Sequence, residues 1–342
     1  MAGIDASALA TALDARARAD RLSGVVSLDL DGEPLFAAAY GLADRAHGIP
    51  NAVDTRFGMA SASKGFTAAA VISLIDDGTL RLETPVRDIL NADLPSVDKA
   101  VTVEHLLSHT SGIGDYLDEE ADWEVDDYVL SVPVHELAET EQFVRAIDGH
   151  PQKFAPGERF SYCNGGYIVL AIVAERASGM PFHDLVAERV LTRAGMSRTA
   201  YLRLDELPGD AAQGYLHEDP ESLRTNVLHL PVRGNGDGGA FTTVADLSRF
   251  WRGLIDGGIV PPSRVAEMIR PRSTVESERM RYGMGVWLDL DGPGLVLVGY
   301  DAGVSIYSRF DPETRMTVTV VANTPEGVWG VTRTLREELA KA

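Results

Sequence analysis

Ser61 and Lys64 stand three residues apart at the start of an apolar stretch, and together they can supply a nucleophile and its base. Residues three apart on a helix share a face, so the hydroxyl and the amine can meet, whereas Ser63 is adjacent to Lys64 and cannot face it. With 20 serines and four lysines in 342 residues, composition alone gives about 0.2 Ser-x-x-Lys matches, yet the chain holds two. The second, Ser96-Val97-Asp98-Lys99, follows Pro95 and precedes the β-branched run Val101-Thr102-Val103, so it reads as a turn. Ser61 instead leads into Phe66, Ala69, Ala70, Ile72 and Ile75 at helical spacing, with Gly78 as a natural stop. Context, not spacing, selects Ser61.

The elements that must hold this pair are marked by their turns. Met1 to Asp20 mixes Ala and Leu with Asp and Arg as an amphipathic helix does. Gly24–Leu30 and Pro34–Tyr40 flank Asp31-Gly32, a hairpin signal. Tyr282–Leu290, Leu295–Tyr300, Val304–Phe310 and Met316–Val321 read as strands, and a helix over about 328–340 follows them. Strands near both ends with a mostly helical middle predict an α/β (α+β) chain. One antiparallel sheet, flanked by terminal helices, is expected from residues 1–80 plus 281–342. The stretch 81–280 is expected to be mainly helical and to hold an inserted all-helical region, with the site at the junction.

The bulk composition narrows the partners. A formal net charge of −20 argues against nucleic acid and anionic membranes, which need a basic surface, and leaves a small-molecule substrate. The single cysteine allows no internal disulfide and suits a reducing compartment. With no secretory leader visible and no apolar run of membrane-spanning length, the expected location is cytoplasmic. The eight histidines are scattered without ligand spacing, so neither a metal nor a cofactor is expected. No Gly-x-Ser-x-Gly is present to build a nucleophile elbow, which disfavours a Ser-His-Asp hydrolase.

Beyond Ser61 and Lys64, three segments carry a resemblance: Leu106-Leu-Ser-His-Thr-Ser-Gly-Ile113, Phe154-Ala-Pro-Gly-Glu-Arg-Phe-Ser-Tyr-Cys-Asn-Gly-Gly-Tyr167 and Gly236-Asp-Gly-Gly-Ala-Phe-Thr-Thr-Val-Ala-Asp-Leu247. In this order the chain resembles the serine penicillin-recognising enzymes: class C β-lactamases, D-Ala-D-Ala carboxypeptidases, and related esterases and D-aminopeptidases. The resemblance covers nearly the whole chain and implies a β-lactamase/transpeptidase-like fold. It makes Tyr162-Cys163-Asn164 the second catalytic motif. Tyr162 is then a proton shuttle beside Lys64, expected to be partly ionised because a nearby cation favours the charged form. Asn164 orients Lys64 or binds the acyl chain. Cys163, between them, points away.

The third motif of that family is Lys or His, then Thr, Ser or Gly, then Gly. Its match here is Gly299-Tyr300-Asp301-Ala302-Gly303-Val304, with Asp301 at the cation position and Ala302 at the hydroxyl position. Gly303 is kept, which lets substrate close to the backbone, and the Val304 amide joins that of Ser61 in an oxyanion hole. A carboxylate at Asp301 repels the substrate carboxylate that a cation there would receive. Residues 115–127 add eight acidic side chains and no basic one, either a solvated loop or a cleft mouth that disfavours carboxylates.

The expected chemistry is two-step acyl transfer through Ser61. Lys64 is the first choice to take the serine proton and Tyr162 to deliver one to the leaving group, with the reverse order open. A carboxylesterase-like activity on neutral or amine-bearing substrates leads. It stands ahead of a D-aminopeptidase or amidase, and of a weak β-lactamase or D-Ala-D-Ala carboxypeptidase. The rival of another class is a catalytically silent, penicillin-binding-like scaffold.

Overall fold

A computed structural model describes residues 5–120 and 128–341. Among them, eight strands form one antiparallel sheet: β1 (Gly24–Leu30), β2 (Glu33–Tyr40), β3 (Ser273–Val275), β4 (Met280–Tyr282), β5 (Trp287–Asp289), β6 (Leu295–Asp301), β7 (Val304–Asp311) and β8 (Met316–Ala322). Their spatial order is β2-β1-β8-β7-β6-β5-β4-β3, so the two ends of the chain meet where β1 pairs with β8, Gly24 opposite Ala322. Asp31 (φ 54°) and Gly32 (φ 86°) close the first hairpin in the left-handed conformations that such a turn requires.

The central strands are buried on both faces, and their side chains sort with period two. Val26, Tyr307 and Val320 face an outer layer of α1 (Ala6–Ala19) and α5 (Trp329–Leu339), against Leu9, Leu13 and Leu335. Val25, Ile306 and Val321 face inward, toward α2 (Lys64–Asp76) and α4 (Val244–Ile255). A fully buried aliphatic side chain of this kind contributes about 1.5–3 kcal/mol. Helix α2 is buried from Lys64 through Ile75 because it lies between the sheet and α3 (Asn164–Ser178), itself buried from Asn164 through Ala174.

One expectation changes. The run Tyr282–Leu290 is not one strand but a hairpin, with Tyr282 opposite Trp287 and the Gly283 amide bonded to the Val286 carbonyl at 3.0 Å. Gly285 takes φ 76° in that loop, where an added Cβ would sit 2.3 Å from the Ala68 methyl of α2. The sheet also reaches into the stretch 81–280, where β3 starts at Ser273, and α4 covers its inner face, the Trp251 indole donating to Ser308 Oγ of β7 at 2.9 Å. No helix among the described residues is long and apolar enough to cross a membrane.

Candidate active site

Ser61 lies in a tight helical turn, Ala60–Ser63, that runs straight into α2. Ala60 precedes it at φ 43°, a strained conformation for a residue with a side chain, costing on the order of 1 kcal/mol. The loop around Gly238 and Gly239 straps the turn in place. Gly239 N–H donates to the Ala60 carbonyl at 3.2 Å, Met59 N–H to the Ala240 carbonyl at 2.8 Å, and Ala240 N–H to Ser63 Oγ at 3.1 Å. A Cβ on Gly238 would stand 3.0 Å from that same Ala60 oxygen, so the strap needs glycine there.

Lys64 is buried, and its Nζ touches three oxygens: Ser61 Oγ at 2.9 Å, Asn164 Oδ1 at 2.7 Å and the Asp237 main-chain carbonyl at 2.6 Å. Burial pushes its pKa below the ordinary lysine value, against the opposing pull of Asp237, Glu119, Asp115 and Asp301. The Ser96 hydroxyl lies in an exposed turn, away from this cluster.

Tyr162 lines the same cleft as Ser61, and its ring centre lies 4.9 Å from Lys64 Nζ. Burial and then Glu119 hold the phenol well above its usual pKa, so it is neutral rather than partly ionised. Its ring rests on His109, 4.3 Å away between centres. Histidine 109 is a prop: His109 Nδ1 accepts from Cys163 N–H at 3.1 Å, and burial keeps the ring neutral. Cys163 caps α3, its Sγ accepting from Gly166 N–H at 3.3 Å, and its buried thiol is shifted well above the ordinary value. The buried Asp115 fills the same helix start, accepting from the amides of Asn164 at 2.6 Å and Gly165 at 2.7 Å.

Strand β6 closes the other wall. Gly299 is its point of closest approach: an added Cβ would lie 2.2 Å from the Met59 carbonyl and 2.9 Å from the Ala62 amide, on either side of Ser61. Ala302 and Gly303 form a two-residue turn between Asp301 and Val304, which pair across the hairpin. In such a hairpin the closing pair exchanges its backbone bonds, so the Val304 amide is taken up within the sheet. The next pair, Tyr300 with Ser305, then turns its backbone groups outward, and β5 pairs with β6 at Leu295 and Val296. Gly303 takes φ 70°, and the close approach it permits is to the backbone of Gly214 and Tyr215.

A model of the beta-lactamase family matches residues 9–341. The chain belongs to the beta-lactamase family. Penicillin-binding protein 4* of Bacillus subtilis (strain 168) is 28% identical over 287 residues, covering 80% of this chain and 61% of that protein. Esterase EstB of Burkholderia gladioli is 34% identical over 232 residues, covering 65% of this chain and 58% of that protein. The chain thus spans 58 to 61% of the length of these two curated relatives. A crystal structure of a penicillin binding protein from Bacillus halodurans superposes with a TM-score of 0.88 at 37% identity, over 95% of this chain and 99% of that one.

The cleft that holds Ser61 is acidic. Asp237 and Asp301 line the same cleft as Ser61. Burial raises both, Asp301 to about 7, and the Asp301 carboxylate accepts from Ala302 N–H at 2.8 Å while Asp237 accepts from the Tyr116 hydroxyl. Of the acidic stretch, Asp115, Asp118, Glu119 and Glu120 are described; Asp122, Glu124, Asp126 and Asp127 lie outside the described residues. Residue type and spacing assign no individual role to Asp237, Asp115 or Glu119, although all three stand inside segments marked by resemblance or charge. No group of three or more His, Cys, Asp or Glu among the described residues is arranged to hold a metal ion.

Proposed function

We propose that this chain hydrolyses esters or amides through a Ser61 acyl-enzyme, with neutral or amine-bearing substrates preferred over carboxylates. The observation that carries the reading is the surroundings of Lys64 Nζ. Two of its three partners, the Asn164 amide oxygen and the Asp237 carbonyl, can only accept hydrogen bonds. A neutral lysine gives its two N–H groups to them, and its lone pair is left for the Ser61 hydroxyl at 2.9 Å. Burial lowers the lysine pKa toward that state.

In the first step the Ser61 proton passes to Lys64 Nζ as Oγ bonds to the substrate carbonyl carbon. The oxyanion is received by the Ser61 amide, and the ladder register supports Tyr300 N–H, in place of Val304, as the second donor. Each such donor is worth about 3 kcal/mol in the transition state. The proton then travels from Lys64 by way of Tyr162, a neutral phenol in the same cleft as Ser61, to the departing alcohol or amine. Water enters the acyl-enzyme and the relay runs backward, leaving acid product and free Ser61.

Asp237, Asp301 and Glu119 around the nucleophile favour an ammonium on the substrate and oppose a carboxylate. That supports an esterase or amidase over a β-lactamase or D-Ala-D-Ala carboxypeptidase. Fluorophosphonate labelling of Ser61 separates an enzyme from a silent scaffold. A panel of p-nitrophenyl esters, D-aminoacyl anilides and a chromogenic cephalosporin then ranks substrates, with Ser61→Ala inactive on all and folded as wild type. An anionic ester turned over faster than its neutral and cationic analogues would overturn the charge preference.

A further inference from the structure

Asn164 has one amide face that suits Lys64 and one that does not. Its Oδ1 accepts from Lys64, while Nδ2 donates to the Leu117 carbonyl at 3.0 Å and to Glu119 Oε1 at 3.1 Å. Flipped, the amide would aim donor at donor toward the lysine, and oxygen at oxygen toward Leu117 and Glu119. Leu117 alone satisfies one hydrogen of Nδ2; the charged Glu119 carboxylate makes the stronger bond to the other. The backbone of Asn164 is held from the same segment, by Asp115.

Resting on Lys64 as the base, we infer that Glu119 is a positioning residue: with the Leu117 carbonyl it locks the Asn164 amide oxygen toward Lys64 and so aims the lysine lone pair at Ser61. Asp115, Leu117 and Glu119 then form a clamp on Asn164. The charged and titratable groups that face Lys64 are Asp237, Glu119, Asp115 and Asp301, with the rings of Tyr162 and Tyr167 and the neutral His109 beside it. Those that face Glu119 are Lys64, Glu278 and Asp118. Removing the Glu119 charge takes away one of the groups that favour the ammonium, so Lys64 loses its proton at lower pH.

The test is Glu119→Gln, alone and combined with Asn164→Ala. Glutamine is isosteric, and Glu119 is exposed, so the melting temperature stays at the wild-type value. Glutamine both donates and accepts, and it tolerates either setting of the amide. On p-nitrophenyl acetate, kcat falls about tenfold with KM unchanged, as expected for a slightly misaimed reacting group. The acid limb of the kcat/KM profile moves to lower pH, which a merely structural contact would not cause. In the Asn164→Ala background, Glu119→Gln lowers kcat no further, because its positioning route runs through the missing amide. Wild-type kcat with an unmoved limb overturns the proposal, and so do losses that multiply in the double variant. Either result leaves the hydrolase reading standing so long as wild-type Ser61 takes the fluorophosphonate label. An unlabelled wild type overturns both.

Discussion

Two buried helices begin at the catalytic centre, and their first turns are finished in opposite ways. The start of α3 is occupied: Asp115 takes the amides of Asn164 and Gly165, and Cys163 Sγ takes that of Gly166. The turn that carries Ser61 into α2 has no side-chain cap. A helix start attracts negative charge through its free amides and dipole. Where the molecule needs an anchor for Tyr162 and Asn164, it fills that place with its own carboxylate. Where, on the proposed chemistry, an oxygen turns negative only during reaction, it leaves the place open and brings β6 alongside.

The open turn is the more sensitive to geometry. Gly299→Ala places a Cβ 2.2 Å from the Met59 carbonyl, so β6 must back away from Ser61. We expect kcat/KM to fall about 100-fold, the cost of displacing a group by roughly an ångström. Ester kinetics beside a melting curve check this, and full activity would remove the need for close approach.

Emptying the occupied turn comes next. Asp115→Ala leaves two backbone N–H groups without their acceptor at a site where Asp115 is buried, a loss of about 3 kcal/mol in a denaturant melt. Turnover falls about tenfold as Asn164 loosens. Unchanged stability would mean that the carboxylate is not what finishes α3.

The smallest effect concerns charge near the open turn. Asp301, pushed up to about 7 by burial, is protonated below that pH and ionised above it. The preference for a trimethylammonium-bearing acyl ester over its neutral isostere therefore grows severalfold as pH rises through about 7. Asp301→Asn flattens that rise, and a ratio independent of pH in the wild type would show that Asp301 does not face the acyl group.

The open turn was legible in the sequence and the occupied one was not. Ser61 and Lys64 are three apart on one helix face, and the spacing alone places their side chains together. Tyr162 and Asn164 were found because a motif stands in for a contact across 100 residues of chain. The Asp237 carbonyl has no side-chain signature, since any residue at that loop position offers the same oxygen. Asp115 and Glu119 were visible only as charge: composition does not reveal which carboxylates turn inward onto a helix start. For Val304 the motif match did not carry the register. Whether an amide faces the cleft or the neighbouring strand alternates residue by residue, so placing the turn at Ala302-Gly303 moves the outward amide to Tyr300. The undivided strand at 282–290 hid its turn because Gly283 and Gly285 sit among apolar residues that fit either reading.

The pairing of β1 with β8 has a consequence for how the molecule comes into being. Gly24 waits for Ala322, and β6, which completes the wall beside Ser61, lies in the same late part of the chain. Loops of that span close slowly, and sheets joined across them form late. A nascent chain halted after α3 already carries Ser61, Lys64, Tyr162 and Asn164, yet has no strand to set beside the nucleophile. On the proposed chemistry, synthesis therefore keeps Ser61 without the wall beside it until the chain has been made through β6.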